Sequence, residues 1–130
     1  MAQSAGLHEP SELLHGDVID RHRAIVSLQE ELEAIDWYDQ RVAATSDASL
    51  AEVLAHNRDE EKEHAAMAIE WLRRHDPVLD RHLRTYLLSE GSIVEVEHAA
   101  EQGAEGDAAD GAPTADPGSL DIGSLGKDGL

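Results

Sequence analysis

The spacing of apolar residues constrains this chain more than any other feature. Leu14, Val18, Ile25, Leu28, Leu32, Ile35 and Val42 recur at steps of three, four or seven, the period of one α-helix face. The pattern predicts a helix over about residues 11–43, opened by Pro10-Ser11. The stretch "TSDASLAE" breaks it, and Ser49 and Glu52 have capping-box spacing. A second helix is predicted from there to about Arg74. His75-Asp76-Pro77 stops it, with Asp76 as the next cap and Pro77 in the first turn. A third helix, "PVLDRHLRTYLLSEG", carries Leu79, Leu83, Tyr86 and Leu87 and ends at Gly91, and "SIVEVEHAA" forms one or two further turns. Most helical stability in proteins comes from packing an amphipathic face, so a helix this long must lie against partners.

Composition narrows the class. The chain has 130 residues, no Phe and 3% aromatics. That suits one all-α domain packed from Leu, Ile, Val and Ala. With no cysteine, disulfides and thiolate metal sites are excluded, which fits a reducing cytoplasm. "MAQSAGLHEP" has no basic or apolar run and is not a signal peptide, and no stretch reaches a membrane span. The formal charge of −18 divides into −12 over residues 1–98 (21 acids, 9 bases) and −6 over residues 99–130 (7 acids, 1 base). Such a surface repels nucleic acid and anionic membrane and attracts cations.

Polar residues interrupt the stripe of the second helix. By heptad steps, Leu50, Asn57, His64 and Trp71 form one row and Leu54, Glu61, Ala68 and His75 the next. Glu61 and His64, three apart, share a side of that helix. On the first helix only Glu31 of "EELE" falls on the apolar arc, beside Ala24, Leu28 and Ile35. A carboxylate taken from water must be paired, protonated or metal-bound. One Glu from one helix with Glu-x-x-His from another is half of a di-iron carboxylate centre. Carboxylates bridge two iron ions and an imidazole completes each side. The economical completion is a second copy of the chain across a two-fold axis. The bland alternative is a hydrogen-bonded polar network that fixes helix register.

Glu-x-x-His alone is a weak signal, and the chain holds it three times: Glu12/His15, Glu61/His64 and Glu95/His98. The first lies near a helix start and the third runs into a polar tract. Glu95/His98 could complete a site within one chain only if held rigidly. Tyr38, two turns after Glu31, is either a core-edge tyrosine or a neighbour of the site. Glu30 and Glu33 cluster on the outer side of the first helix, and His56, Glu60 and Glu63 on one flank of the second. Both clusters read as solvated faces or as loose sites for divalent cations such as Ca2+. "EQGAEGDAADGAPTADPG" has no apolar period and reads as a disordered linker over residues 99–118. Leu120, Ile122 and Leu125 then return within residues 119–130, either as a functionless terminus or as a leashed peptide for an apolar groove.

"RHRAIVSLQEELEAIDWYDQRV" and "LAHNRDEEKEHAAMAIEWLRR" closely resemble encapsulated ferritins, the cargo of encapsulin nanocompartments. The resemblance implies a ferritin-like two-helix antiparallel hairpin plus a shorter C-terminal helix, completing a four-helix bundle by dimerisation and assembling as a ring of five dimers. It implies a ferroxidase domain over residues 1–98 that oxidises Fe2+ to Fe3+ with dioxygen at a di-iron centre. The matching iron ligands are Glu31, Glu61 and His64, with Trp37 and Tyr38 close by. Glu30 and Glu33 match a metal site on the path inward, and His56, Glu60 and Glu63 an outer metal cluster. "LDIGSLG" resembles the peptide that docks cargo on the shell's inner wall, here through Leu120, Ile122 and Leu125. The expected location is a bacterial cytoplasm, inside the shell. The rival expectation is a non-enzymatic encapsulin-targeted scaffold with a structural polar or metal site.

Overall fold

The computed structural model describes residues 6–110 and the side-chain surroundings of residues 6–103. The described residues are helical or irregular, with no strand. After a 3-10 turn at Ser11–Leu13 come α1 (Gly16–Ala44), α2 (Ala48–Arg74), α3 (Pro77–Tyr86) and α4 (Ile93–Asp110). The chain divides into two units, one through Arg81 and one from His82.

In the first unit α1 and α2 form an antiparallel hairpin around the three-residue connection Thr45 to Asp47. Thr45 N–H caps the end of α1 by donating to Arg41 O at 3.1 Å, and Asp47 N–H donates to Thr45 Oγ1 at 3.1 Å. Asp47, not Ser49, is the N-cap of α2, since its Oδ1 accepts from Leu50 N–H at 3.0 Å. This satisfies a donor that the helix itself leaves unpaired. It also holds the Asp47 carboxyl below its ordinary pKa, the Leu50 hydrogen bond being the largest cause. Asp76 caps α3 as expected, accepting from Val78 and Leu79 N–H at 3.1 and 3.0 Å.

Other boundaries move. The first long helix starts at Gly16, because the chain is extended at Leu14 and His15, so the 3-10 turn is separate from it. Pro10 contributes no side-chain cap there. In the second unit, α3 ends at Tyr86 and the chain turns through Leu88 at φ 64° and Gly91 at φ 84°. Ser92 caps α4 through Glu95 N–H at 3.3 Å. That helix runs on to Asp110, past the start of the linker expected over residues 99–118. Residues 99–110 hold five Ala beside two Glu, two Gly and two Asp, so Ala favours helix there with no apolar face to show a period. The tail peptide with Leu120, Ile122 and Leu125 lies outside the described residues.

The hairpin has little interior of its own. Among the described residues only Ala65 and Leu72 are buried, while Ile25, Leu32, Trp37, Leu50, Val53 and Met67 are exposed. Ala65 and Leu72 share a heptad row of α2. The Leu50/Asn57/His64/Trp71 row, expected on the buried stripe, lies instead along an edge where Leu50 and His64 are exposed. At the far end of α2, Arg73 ties the hairpin to α3. It donates to both Glu70 oxygens at 2.8 and 2.7 Å and to Asp80 Oδ1. Arg74 adds a 2.7 Å contact to Glu70. These guanidinium contacts, Arg73 first, hold the Glu70 carboxyl down at about 2, below its ordinary 4.5.

Two outcomes are expected. Asp47→Ala costs about 1 kcal/mol in a denaturant or thermal melt, and Ser49→Ala costs clearly less; the reverse order would restore the capping box. A depressed carboxyl stabilises above its unfolded pKa and loses that contribution as pH falls through its folded one. Stability contributed by Glu70 is therefore lost between about pH 4.5 and about pH 2, and melts of Arg73→Met across that window should show a flatter acid limb than wild type.

Candidate metal centre

The hairpin brings Glu31 of α1 against Glu61 and His64 of α2. One ligand atom from each lies within 4.8 Å of the other two. His64 Nδ1 is 3.6 Å from Glu31 Oε2 and 3.9 Å from Glu61 Oε2. The side chains of Glu31 and Glu61 are 24% and 25% exposed and that of His64 is 44% exposed. The carboxylates thus sit between the helices, and the imidazole stands at the open edge. Helical geometry produces this directly. Glu61 and His64 are one turn apart, and antiparallel packing sets Glu31 across from both.

The trio is under electrostatic tension. The Glu31 carboxyl is pushed above its ordinary pKa, first by a proton-sharing contact with Glu61, then by burial and by the Glu61 charge, with His64 pulling the other way. Glu31 Oε2 is buried with no hydrogen-bond partner, since His64 Nδ1 stands beyond hydrogen-bond reach. A network built only to fix register satisfies its members, and this one does not. Two facing carboxylates need a proton or a cation between them. The 3.6 and 3.9 Å separations of His64 Nδ1 from the two carboxylates lie within twice a metal–ligand bond of about 2.1 Å, and oxygen and imidazole donors suit first-row metals. Three donors leave positions open around such an ion.

The other candidates remain apart. Among the described residues Glu31, Glu61 and His64 are the only three or more His, Asp or Glu brought within ligand distance. Glu12 and His15 are exposed beside the 3-10 turn, and Glu95 and His98 are exposed on α4. Glu30 is exposed and Glu33 half-buried, the latter lining a shallow hollow with Gln29, Leu32 and Asp36. His56, Glu60 and Glu63 are exposed on α2. Tyr38 is half-buried with the Arg41 guanidinium 5.4 Å from its ring centroid, a cation–π contact.

Sequence reasoning missed two polar groups. Gln29 Oε1 is buried without a partner; an amide beside Leu28 carries no periodic signal of its own. Arg58 joins α2 to Asp39 of α1. Its place one heptad before Ala65 was the available signal.

The tension predicts a trade-off. Glu61→Gln should raise the melting temperature of metal-free protein at pH 7 by removing a facing charge. It should also lose the further rise expected from Mn2+ in wild type. A metal-free variant that melts lower than wild type would mean the carboxylates are not opposed.

The EncFtn-like family profile matches residues 6–90. The encapsulated ferritin-like protein of Rhodospirillum rubrum is 60% identical over 128 residues, covering 96% of this chain and 91% of that protein. The encapsulin nanocompartment cargo protein EncC of Myxococcus xanthus is 33% identical over 106 residues, covering 77% of this chain and 79% of that protein. A crystal structure of a Nitrosomonas europaea protein superposes with a TM-score of 0.66 at 56% identity, covering 68% of this chain and 97% of that one. With its all-helical fold and its opposed carboxylates on a helical hairpin, the chain belongs to the EncFtn-like family.

Proposed function

We propose that the protein is a ferroxidase, with Fe2+ as the substrate of the Glu31/Glu61/His64 centre. The observation that carries this is the buried, unpartnered Glu31 Oε2 facing Glu61 beside the His64 imidazole. Ferritin-like relatives support an iron-handling role. Glu31 and Glu61 supply negative charge for hard cations and His64 a neutral nitrogen. Two ferrous ions give one electron each to dioxygen, which is reduced by two electrons. Glu31, whose proton affinity is raised by its neighbours, releases its proton as the metal arrives.

The reading includes a second copy of the chain. One hairpin buries only Ala65 and Leu72 among its described residues and leaves His64 at an open edge. Pairing two hairpins covers the exposed apolar edges and presents six donors to two ions. The outer groups Glu30/Glu33 and His56/Glu60/Glu63 are sites for passing or loosely held divalent cations. Their ligand atoms do not converge within one chain, so a neighbouring copy completes them. A cargo relative supports association with an encapsulin shell, and Leu120, Ile122 and Leu125 are the contact residues proposed. Storage of Fe3+ then falls to the shell interior.

Stopped-flow absorbance after mixing anaerobic Fe2+ and protein with dioxygen is the test. Wild type should form ferric product quickly, and Glu31→Ala, Glu61→Ala and His64→Ala should each lose about a hundredfold or more in rate. Glu12→Ala and His98→Ala should oxidise like wild type. Equal loss in those two would move the site, and no catalysis by an oligomeric wild type would leave a non-catalytic scaffold. Removing residues 119–130 should abolish co-purification with a co-expressed shell protein and leave oxidation intact.

A further inference from the structure

Arg58 and Asp39 stand outside the ligand set, yet they join the two helices that carry it. Arg58 Nη1 donates to Asp39 Oδ1 at 2.9 Å, and Arg58 Nε donates to Asp59 Oδ1 at 3.1 Å. Lys62 Nζ lies 3.4 Å from the same Asp59 oxygen. The Arg58 side chain is only 22% exposed. It occupies the heptad row of Ala65 and Leu72, the two buried residues of α2, so its stem lies in the seam against α1.

The seam has a register problem. A slip of α1 by one residue's rise moves Glu31 by about 1.5 Å, and a screw to the next residue also turns it by about 100°; either takes it out of line with Glu61 and His64. Apolar packing resists this weakly, because the row has few buried side chains and hydrophobic contact is non-directional. The site itself offers only the 3.6 Å His64–Glu31 contact, against two carboxylates that oppose each other. Arg58–Asp39 is directional, attractive and cross-helical. Among the described ion pairs joining α1 to α2, the only other is His64–Glu31. Arg58 lies about 9 Å along α2 from His64, six residues at the helical rise.

We infer that Arg58 is a positioning residue whose ion pair with Asp39 sets the axial register that holds Glu31 opposite Glu61 and His64. Its guanidinium has no acceptor and is not a ligand. The inference rests on the reading of the trio as a metal centre.

The test uses the full chain with Co2+ as probe, followed by its visible absorption band. Arg58→Met, Asp39→Asn, their double variant and Glu61→Ala are compared, with melts to establish folding. Each single variant should bind Co2+ about fivefold more weakly, the size of one good surface ion pair, with a displaced band. The half-saturating Fe2+ concentration in oxidation should rise by the same factor. The double variant should be no worse than either single one, and Arg58→Lys should recover part of the loss. Unchanged affinity and band in folded Asp39→Asn would overturn the inference, as would additive losses in the double variant. If wild type binds Co2+ through Glu61 yet does not oxidise Fe2+, the ferroxidase reading fails while the register effect still stands or falls on the Co2+ data. If wild type does not bind Co2+ at all, both fail.

Discussion

Two carboxylates face each other across the seam of a helical hairpin, and much else in the structure answers to that opposition. Glu31 and Glu61 are held too close to be comfortable as a pair of anions, and the resulting pressure appears as the raised proton affinity of Glu31. A hydrophobic pair of similar size would pack without this cost. On the proposed reading, relief of this opposition contributes to holding a cation. The oxygen left without a hydrogen-bond partner is the same fact in another form.

The hairpin accommodates the tension by placing directional contacts at either side of the site. Toward the connecting loop, Arg58 bridges to Asp39, and beyond it Asp47 caps α2. Toward the other end, Arg73 gathers Glu70 and Asp80 and so fixes the start of α3. The stretch between them is thinly packed, with Ala65 and Leu72 alone buried. So little burial is far below what a self-sufficient helical domain needs, and large apolar side chains along both helices stay exposed. The proposed pairing of two hairpins resolves the packing deficit and the open coordination with one contact surface.

Much of this was legible in the residues. The apolar period located both long helices, and the polar interruptions marked Glu31, Glu61 and His64, the trio the hairpin brings together, because a charged group on an apolar stripe is expensive enough to demand a reason. Asp76-Pro77 marked the start of α3 for the same kind of local cause, a side-chain acceptor followed by a fixed φ. The misses have causes too. Ser49 and Asp47 are both good caps, and the turn closed by Thr45 decides between them. The first turn separated from α1 because the backbone extends at Leu14 and His15, which an apolar period does not register. A helix such as the later part of α4, which carries no apolar face, is invisible to a search for periodicity.

Local chemistry in the chain alone determined the all-α class, the two long helices, and the identity of the two acids that lie on their inner arcs. Those depend on intervals of three, four and seven residues, which a one-dimensional pattern carries in full. Tertiary structure decided which row of α2 faces α1. It put Ala65, Leu72 and Arg58 in the seam and moved His64 and Leu50 to its edge. That choice turns on how the side chains of two helices interdigitate and on an ion pair between residues nineteen apart. Neither has a signature within one helix, so neither could be read before the hairpin was closed.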